Sequence, residues 1–531
     1  MVCITYNKSS ILTDRGVNVM NSHSPLPTDL YRAVAVRELD RQAIEEQGIP
    51  GFTLMRRAAK AAFNVLQAAW PEVENITIVC GTGNNGGDGY VMASIARQQG
   101  IAVRVVQCGD ADKIRGDALQ ARQLALQDGV EVIPLTENLM IETGVIVDAV
   151  LGTGLIGAVR AEARQAIDMM NSSACPVLAV DVPSGLCSDT GRLMASVAGD
   201  QSAAVYAEHT VSFIGLKQGL LTGDAPAYCG QLHFFDLQVP AAVYQQVDAT
   251  AQRLDLAELT AASLAPRPRT AHKGHFGHVL VAGGDFGMAG AVIMASQAAG
   301  RVGAGLISCA TRAEHLTALN SRCPEIMAHG VSSGQELAAL LPRASVVAVG
   351  PGLGQSAWSE QLLQQVCKLS VPLVIDADAL NLLAAGRVVK NAYRDNWVLT
   401  PHPGEAARLL NCSVAEIQQD RFAAVNELQC RFGGAVILKG AGSLVAASQY
   451  SATGVCMYGN PGMATGGMGD VLSGVLAALL AQGLSVADAA RLAVCLHGAA
   501  ADLAAADGQR GLLATDLLPH LRRLVNQVIS K

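Results

Sequence analysis

Short apolar runs alternate with longer helical patterns along most of the chain. Helices are predicted over Tyr90–Gln99, Met288–Val302 and Asp470–Ala481. Alternation of this kind is typical of right-handed βαβ units and a parallel sheet, so we predict an α/β fold in each half. The predicted buried strands are Ile76–Cys80, Val103–Val106, Val145–Val147, Val177–Val180 and Thr210–Phe213 in the first half, and Val279–Ala282, Leu306–Ala310, Val346–Val349, Leu373–Ile375, Trp397–Leu399 and Val436–Leu438 in the second.

The pattern changes between about 240 and 270. Ala241–Leu264 predicts one or two helices and no strand, and Pro266 and Pro268 then interrupt the chain. Because neither series of strands continues here, we place a domain boundary near 245–255. The predicted organisation is a polar, disordered tail at 1–28, a first domain at 29–248 and a second domain at 249–531.

Composition supports packed domains and narrows the classes of partner. The 531 residues are 50% hydrophobic and 16% charged, which provides ample apolar surface for two cores. A net charge of −7 without a Lys/Arg run argues against nucleic-acid binding. The 13 cysteines form no C-x-x-C pair and are expected to be reduced thiols. Without a membrane-spanning run or a signal peptide, a cytoplasmic protein is expected.

In the first half, three predicted strands end in segments that contain Gly together with Asn or Asp. Open α/β sheets bind ligands at this edge, beyond the carboxyl ends of their strands. The three segments are Gly81–Asp88, Val147–Leu155 and Val180–Gly185. The first two satisfy G-x-G-x-x-G, which alone is weak evidence for a nucleotide. Asn and Asp side chains in Gly81–Asp88 supply hard oxygens that suit a cation, although they could equally be turn and cap residues. Asp148 and Asp181 favour a shared cation site, because an unpaired carboxylate is costly to bury.

In the second half, Gly466–Gly469 and Asp470 precede an apolar helix. Consecutive N–H groups at a helix N-terminus favour a phosphate, and an adjacent Asp can accept a hydroxyl proton, so this run indicates phosphoryl transfer. Asp470 could instead be only a helix cap. Lys439 follows the strand Val436–Leu438 and could neutralise phosphate or extend to solvent. No G-x-x-x-x-G-K-[ST] is present, so the chain is not a P-loop enzyme.

Other polar groups follow strands of the second half. His402 lies between two prolines and is predicted to contact a ligand rather than to be structural. Asp376 and Asp378, with Asn381 beyond them, could bind magnesium or could cap a helix at Ala379–Ala385. The residues do not decide between these two roles.

Two sets of motifs resemble known families. Asn84–Asp88, Asp148 with Gly152–Ala158, and Asp181-Val-Pro-Ser-Gly are similar to the NAD(P)H-hydrate epimerase domain. The second set is similar to the ADP-dependent NAD(P)H-hydrate dehydratase domain: Gly350-Pro-Gly-Leu-Gly, Pro401-His-Pro-Gly-Glu, Lys439-Gly-Ala-Gly and Gly466-Gly-Met-Gly-Asp. Their fusion is the bacterial bifunctional NAD(P)H-hydrate repair enzyme. The resemblance covers about residues 30–525 and implies a Rossmann-like three-layer domain followed by a ribokinase-like α/β domain.

The resemblance also implies ligands and site residues. In the first domain a potassium ion would be held by Asn85, Asp148 and Ser184. The hydrate there would contact Asn84, Asn85, Gly86, Gly87, Asp88, Gly152, Thr153, Gly154, Leu155, Ile156, Gly157, Ala158 and Asp181. In the second domain the hydrate would contact Ala291, Gly352, His402 and Asp470. The nucleotide would contact Lys439, Gly440, Ala441, Gly442, Ser443 and Gly469. ADP, a magnesium ion and a homo-oligomeric assembly are expected as well.

The implied chemistry fits these residues. Hydrated NADH and NADPH carry a hydroxyl on ring carbon 6, and phosphorylation would turn it into a good leaving group. Asp470 would be the base for that step, with AMP and phosphate as products. Asp181 is the candidate acid or base for epimerisation. Two alternatives stay open: a ribokinase-like small-molecule kinase with a regulatory first domain, and a non-catalytic nucleotide sensor.

Overall fold

A computed structural model describes residues 26–137, 139–196, 202–389 and 392–526. The tail predicted at 1–28 lies almost entirely outside them. The predicted α/β fold is confirmed, with every predicted strand present to within two residues at each end. The strands are β1 (Asp29–Tyr31), β2 (Asn75–Cys80), β3 (Ala102–Gln107), β4 (Glu131–Pro134), β5 (Val145–Ala149), β6 (Val177–Val180), β7 (His209–Phe213), β8 (Leu216–Lys217), β9 (Gln231–Phe235), β10 (Ala251–Arg253), β11 (His278–Ala282), β12 (Leu306–Thr311), β13 (Met327–Gly330), β14 (Val346–Val349), β15 (Leu373–Ile375), β16 (Trp397–Leu399), β17 (Ala435–Leu438), β18 (Ser443–Ala447) and β19 (Thr453–Cys456).

Helices connect most of the strands. The helix predicted at Tyr90–Gln99 begins earlier, at Asn84, and the one predicted at Asp470–Ala481 begins at Met468. The helices are α1 (Ala33–Arg41), α2 (Gly51–Ala69), α3 (Asn84–Gln98), α4 (Gly116–Gln127), α5 (Ala161–Ser172), α6 (Ala241–Tyr244), α7 (Leu256–Ser263), α8 (Ala289–Val302), α9 (Leu316–Arg322), α10 (Gly334–Ala338), α11 (Ala357–Val366), α12 (Ala377–Ala384), α13 (Pro403–Leu410), α14 (Val414–Gln419), α15 (Arg421–Phe432), α16 (Met468–Ala481), α17 (Val486–Ala504) and α18 (Leu517–Leu524).

The first sheet has the order β4-β3-β2-β5-β6-β7-β9, and all of its strand pairs are parallel. Apolar side chains project from both faces of the sheet. Ile78 packs with α2 and α3 on one face, and Val79 packs with α5 on the other. Helices therefore cover both faces, as a parallel sheet requires. The carboxyl ends of the neighbouring strands β2, β5 and β6 meet at one edge.

The second sheet has the order β13-β12-β11-β14-β15-β16-β17-β18-β19-β10-β1-β8. Its strands from β13 through β17 are parallel, and β18 pairs antiparallel with both neighbours. One core contains α8, α16 and α17, and the core on the opposite face contains α11, α12 and α15. The last two strands, β1 and β8, come from the first part of the chain.

The prediction of no strand within Ala241–Leu264 is wrong, because β10 occupies Ala251–Arg253 and pairs with β19 and β1. A strand of three residues has too few positions to show an alternating pattern, so it was missed. Through β1, β8 and β10 the second sheet crosses the predicted boundary at residue 249. The boundary itself stays a prediction.

One helical stretch of the described residues, Val486–Asp507, is long and apolar enough to cross a membrane. Of its most apolar window, 72% is buried inside the protein. Its residues belong to the core that includes α8 and α16, so this stretch packs as a core helix.

Candidate functional site

A cavity of about 630 Å³ lies at the carboxyl ends of β2, β5 and β6. Its walls include most of the residues predicted to bind the hydrate in the first domain. Three of the predicted residues, Gly86, Gly87 and Gly157, are not among those lining it. The predicted residues that line it are Asn84, Asn85, Asp88, Gly152, Thr153, Gly154, Leu155, Ile156, Ala158 and Asp181.

The segment predicted as a loop at Gly81–Asp88 becomes helical at Asn84. Its N-cap is Gly83, which provides no side-chain capping bond, so Asn84, Asn85 and Asp88 are not caps. Asn, Asp and Gly are weak helix formers, which is why the sequence pattern placed the start of α3 too late. Close packing determines the start instead: a Cβ on Gly86 would lie 2.1 Å from the carbonyl oxygen of Gly81.

Of the three residues predicted to hold potassium, Asp148 and Ser184 are in contact, and Asn85 lines the cavity next to Gly152. Both polar side-chain atoms of Asn85 are buried and have no hydrogen-bond partner. Asp148 is fully buried, and its Oδ1 lies 2.6 Å from Ser184 Oγ. Burial raises the pKa of Asp148 to about 6, although hydrogen bonds from Ser184 and Val150 oppose this shift. The buried amide oxygen of Asn85 has no protein partner and is therefore available as a ligand for a cation.

Asp181 forms a buried ion pair that sequence reasoning missed. Its Oδ1 lies 2.6 Å from Lys217 Nζ, and the lysine side chain is only 2% exposed. Its Oδ2 accepts a hydrogen bond from the Thr153 N–H at 2.7 Å. Burial raises the pKa of Asp181, but Lys217 and Thr153 outweigh burial and hold this pKa below its usual value. Asp181 is therefore a carboxylate that lines the cavity, with both of its oxygens held by protein donors.

Two further carboxyl groups line the same cavity, and their pKa values are raised rather than lowered. Burial and the negative charge of Asp181 raise the pKa of Asp88 well above its usual value. Burial also raises the pKa of Asp40 to about 6, opposed by Lys217. The cavity thus holds Asp181, whose pKa is lowered, and Asp88, whose pKa is raised. Environments that push two pKa values apart are how one site supplies both a base and an acid.

The second group of residues centres on Asp376, which is 1% exposed. Its Oδ1 lies 2.7 Å from Thr400 Oγ1 and 3.0 Å from Lys439 Nζ, and its Oδ2 accepts a hydrogen bond from Ser473 Oγ at 2.8 Å. Asp376 occupies the N-cap position of α12, but its side chain makes no capping bond. Capping is therefore the wrong interpretation of Asp376: its carboxylate holds Lys439 in place.

Lys439 does not extend to solvent. Its Nζ also lies 3.7 Å from Glu405 Oε2, and its side chain is 22% exposed. Burial lowers the pKa of Lys439, but Asp376 and Glu405 outweigh it and hold this pKa above its usual value. The Lys439 ammonium group is thus held between two carboxylates just after the end of β17.

Asp470 lies in the first turn of α16, three residues after the N-cap Gly467, and so is not the cap. A Cβ on Gly469 would lie 3.4 Å from Asp376 Oδ2 and 3.5 Å from Lys439 Nζ, which places this turn against the lysine. First-turn N–H groups have no partners within the helix and favour an anion. Burial and the charge of Asp376 raise the pKa of Asp470 to about 7, opposed by Lys439.

His402 has a structural role. It is the N-cap of α13, and its Nδ1 accepts a hydrogen bond from the Gly404 N–H at 3.0 Å. Its Nε2 lies 3.4 Å from Glu405 Oε1, and Glu405 in turn contacts Lys439. His402 thus borders the site, and its ligand contact stays a prediction.

The remaining predicted residues lie on neighbouring turns. A Cβ on Gly352 would lie 3.0 Å from the Cβ of Ala291, so these two residues are adjacent. Asp378 accepts hydrogen bonds from the Gly354 N–H at 3.0 Å and from Asn381 Nδ2 at 3.2 Å. Asp378 therefore holds the loop after β14 in position.

Sequence reasoning missed several residues of both sites. In the second site, His497 on α17 is buried and hydrogen-bonds to the backbone of Met468, and burial lowers its pKa to about 4. It carried no signal, because a single His inside an apolar helix usually belongs to the core. The other missed residues are Asp40, Lys217, Thr400 and Ser473, which carry no local motif, and Glu405, which ends the motif Pro401-His-Pro-Gly-Glu but was given no role.

Comparison with known proteins finds matches for both halves of the chain. A family model described as NAD(P)H-hydrate dehydratase matches residues 279–523, and one described as YjeF-related protein N-terminus matches residues 51–219. The bifunctional NAD(P)H-hydrate repair enzyme of Coxiella burnetii is 48% identical, covering 94% of this chain and 100% of that protein. That of Escherichia coli K12 is 44% identical, covering 95% of each. An ADP/ATP-dependent NAD(P)H-hydrate dehydratase from Bacillus subtilis, co-crystallised with ATP/Mg²⁺, is 29% identical over 51% of this chain and 96% of that one, with a TM-score of 0.46. The chain belongs to the family of bifunctional NAD(P)H-hydrate repair enzymes.

Proposed function

We propose that the first domain interconverts the R and S hydrates of NADH and NADPH, and that the second dehydrates the S hydrate with ADP in the cytoplasm. The chain is a bifunctional epimerase and dehydratase by its family. The observation that carries the proposal is Asp470 in the first turn of α16, beside Lys439 and its carboxylate partner Asp376. This arrangement supplies a base, a cation and an anion-binding helix terminus to one reaction.

In the dehydratase site, the hydroxyl on ring carbon 6 would give its proton to Asp470 as its oxygen attacks the terminal phosphorus of ADP. The first-turn N–H groups of α16 and Lys439 would stabilise the charge on the transferring phosphoryl group. AMP leaves, the ring-nitrogen electrons expel phosphate, and loss of a proton from ring carbon 5 then restores the cofactor. The pKa of Asp470, near 7, is suited to a general base at neutral pH.

A magnesium ion would accompany the nucleotide. The oxygens of Asp376 and Asp378 are already engaged by protein donors, and the described residues contain no group of three or more His, Cys, Asp or Glu side chains that could hold a metal ion. Magnesium typically takes one or two carboxylates and the phosphates of its substrate. Nucleotide phosphates would therefore supply most of its ligands here.

In the epimerase site, inversion at ring carbon 6 can proceed by ring opening or by loss and return of water. Each route needs a base for one proton and an acid for another. Asp181 is the proposed base, since Lys217 and Thr153 lower its pKa, and Asp88 is the proposed acid, since burial and the charge of Asp181 raise its pKa. Lys217 would hold Asp181 in position throughout.

Potassium should activate the epimerase and raise its melting temperature. Asn85, Asp148 and Ser184 would bind the ion, which would stabilise the folded state in proportion to RT ln(1 + [K⁺]/Kd). Melting curves and epimerisation rates in KCl and in choline chloride at equal ionic strength measure both effects. Asn85→Ala should abolish the difference between the two salts. The exposed Asn320→Ala is the matched control and should retain that difference; a potassium response that persists in Asn85→Ala would exclude this site.

A mixture of both epimers of hydrated NADH, incubated with the protein, ADP and magnesium, should be converted completely to NADH. The absorbance of NADH follows the reaction, and AMP and phosphate should appear in equal amounts. Conversion that stops when one epimer is exhausted, within a time too short for spontaneous epimerisation, would refute the epimerase assignment. A stable phosphorylated small molecule in the mass spectrum would instead identify a kinase.

A further inference from the structure

One buried segment, Lys217–Gly223, connects the two candidate sites. It begins at β8 on the edge of the second sheet, where the Lys217 ammonium group pairs with Asp181 in the first domain. It then forms a short helical turn at Gln218–Leu221 and reaches Thr222, which is fully buried. Thr222 lies against the loop Lys439–Ser443 of the second domain.

Hydrogen bonds fix this loop to the first domain. Thr222 Oγ1 donates to the Gly442 carbonyl oxygen at 2.7 Å, and the Gly223 N–H donates to the Ala441 carbonyl oxygen at 3.3 Å. Arg421, 2% exposed, donates from Nε to Thr222 Oγ1 at 3.2 Å. The threonine hydroxyl therefore links the loop to a buried guanidinium group.

The glycines of the loop are explained by the same contact. Gly442 has φ +62°, and a Cβ there would lie 1.9 Å from the carbonyl oxygen of Leu221. A Cβ on Gly440 would lie 2.9 Å from the guanidinium nitrogens of Arg421. Both glycines let the loop approach other parts of the protein, so the first domain and Arg421 shape it.

We propose that Thr222 is a positioning residue for the nucleotide, so that the first domain completes the nucleotide-binding loop of the second. This rests on the proposed assignment of Lys439–Ser443 to ADP. In a planar trans peptide the carbonyl and the following N–H point in opposite directions. The carbonyl groups of Ala441 and Gly442 point toward the first domain, so the N–H groups of Gly442 and Ser443 point away from it. On that side these N–H groups can bind an anion.

Thr222→Val should raise the KM for ADP about tenfold, the scale of one lost buried hydrogen bond. Valine keeps the shape of threonine but removes the hydroxyl that joins Arg421 to the loop. The kcat at saturating ADP and the KM for the hydrate should change less than about twofold, since the base and the anion-binding turn are untouched. Thr222→Ser keeps the hydroxyl and should restore the KM for ADP.

The matched control is Thr250→Val, because the Thr250 hydroxyl also crosses this interface, 2.7 Å from Gln218 Oε1, without touching the loop. It should leave the KM for ADP unchanged. Gly442→Ala, whose methyl group would meet Leu221, provides a second route to the same loss and should also raise that KM. The epimerisation rate reports whether each variant remains folded.

Lys439→Ala separates this inference from the assignment on which it rests. If Lys439→Ala raises the KM for ADP and Thr222→Val does not, Thr222 is no positioning residue and the nucleotide site stands. If neither variant changes this KM, the nucleotide site itself is wrong. A Thr222→Ser variant as impaired as Thr222→Val, or a Thr222→Val variant with both KM values raised and kcat lowered, would also overturn the inference.

Discussion

Replacing Asp470 by asparagine should lower the kcat of dehydration by about 10²–10⁴-fold, the usual contribution of a positioned general base. Asparagine occupies nearly the same volume in the first turn of α16 but cannot accept a proton from the hydroxyl. Lys439 and the helix N-terminus are unchanged, so ADP should still bind with a similar dissociation constant. Single-turnover kinetics and calorimetric ADP binding measure the two effects separately.

The pH profile adds a second readout for Asp470. Because its pKa is near 7, wild-type kcat should rise as the pH increases through 7 and level off above it, and the Asn variant should lack this step. The fold raises this pKa above its unfolded value, so the stability associated with the protonated group is present at low pH and is lost as the pH rises through 7. Asp470→Asn should therefore melt no lower than wild type at pH 8. The exposed Asp507→Asn is the control, and dehydration that persists in Asp470→Asn would rule out this base.

The main architecture could be predicted because strands inside a parallel sheet are continuous apolar runs. Val346–Val349 and Trp397–Leu399 have the same bounds in the sequence analysis and in the structure. The short strands β1, β8 and β10 could not be predicted in this way. They form because long-range pairing places them beside β19 and one another, and no pattern within two or three residues encodes that.

For the site residues too, local sequence was enough to predict some, whereas others are placed only by long-range packing. Asp181 directly follows a strand and Asp470 follows a glycine-rich turn, so both could be singled out from local spacing, whereas Lys217 could not. Lys217 has the local sequence of an ordinary lysine, and only the fold carries its ammonium group to Asp181. Thr222 likewise acquires its contacts from a loop more than two hundred residues away. The family resemblance assigned Gly440 and Gly442 to the nucleotide, and the structure adds that both lie close to protein atoms, of Arg421 and Leu221 respectively.

Replacing Asp181 by asparagine should abolish epimerisation, with a loss of about 10²–10⁴-fold, while dehydration of the S hydrate continues. Asparagine keeps an oxygen near Thr153 but cannot take a proton. It also leaves Lys217, 2% exposed, without its counter-charge, and an unpaired buried charge destabilises a protein by about 3–5 kcal/mol. With the mixed hydrates, the variant should convert the S epimer at the wild-type rate and then stall.

A paired substitution separates the chemistry from the folding defect. Asp181→Asn with Lys217→Gln removes both charges, and replacing both members of a buried ion pair is often close to neutral for stability. The double variant should regain the melting temperature lost by the single variant yet remain inactive as an epimerase. Asp168→Asn, which breaks only a surface contact with Arg164, should leave both activities intact. Recovery of epimerisation in the double variant would show that Asp181 acts through the stability of the cavity, and the base would then have to be sought at Asp40 or Asp88.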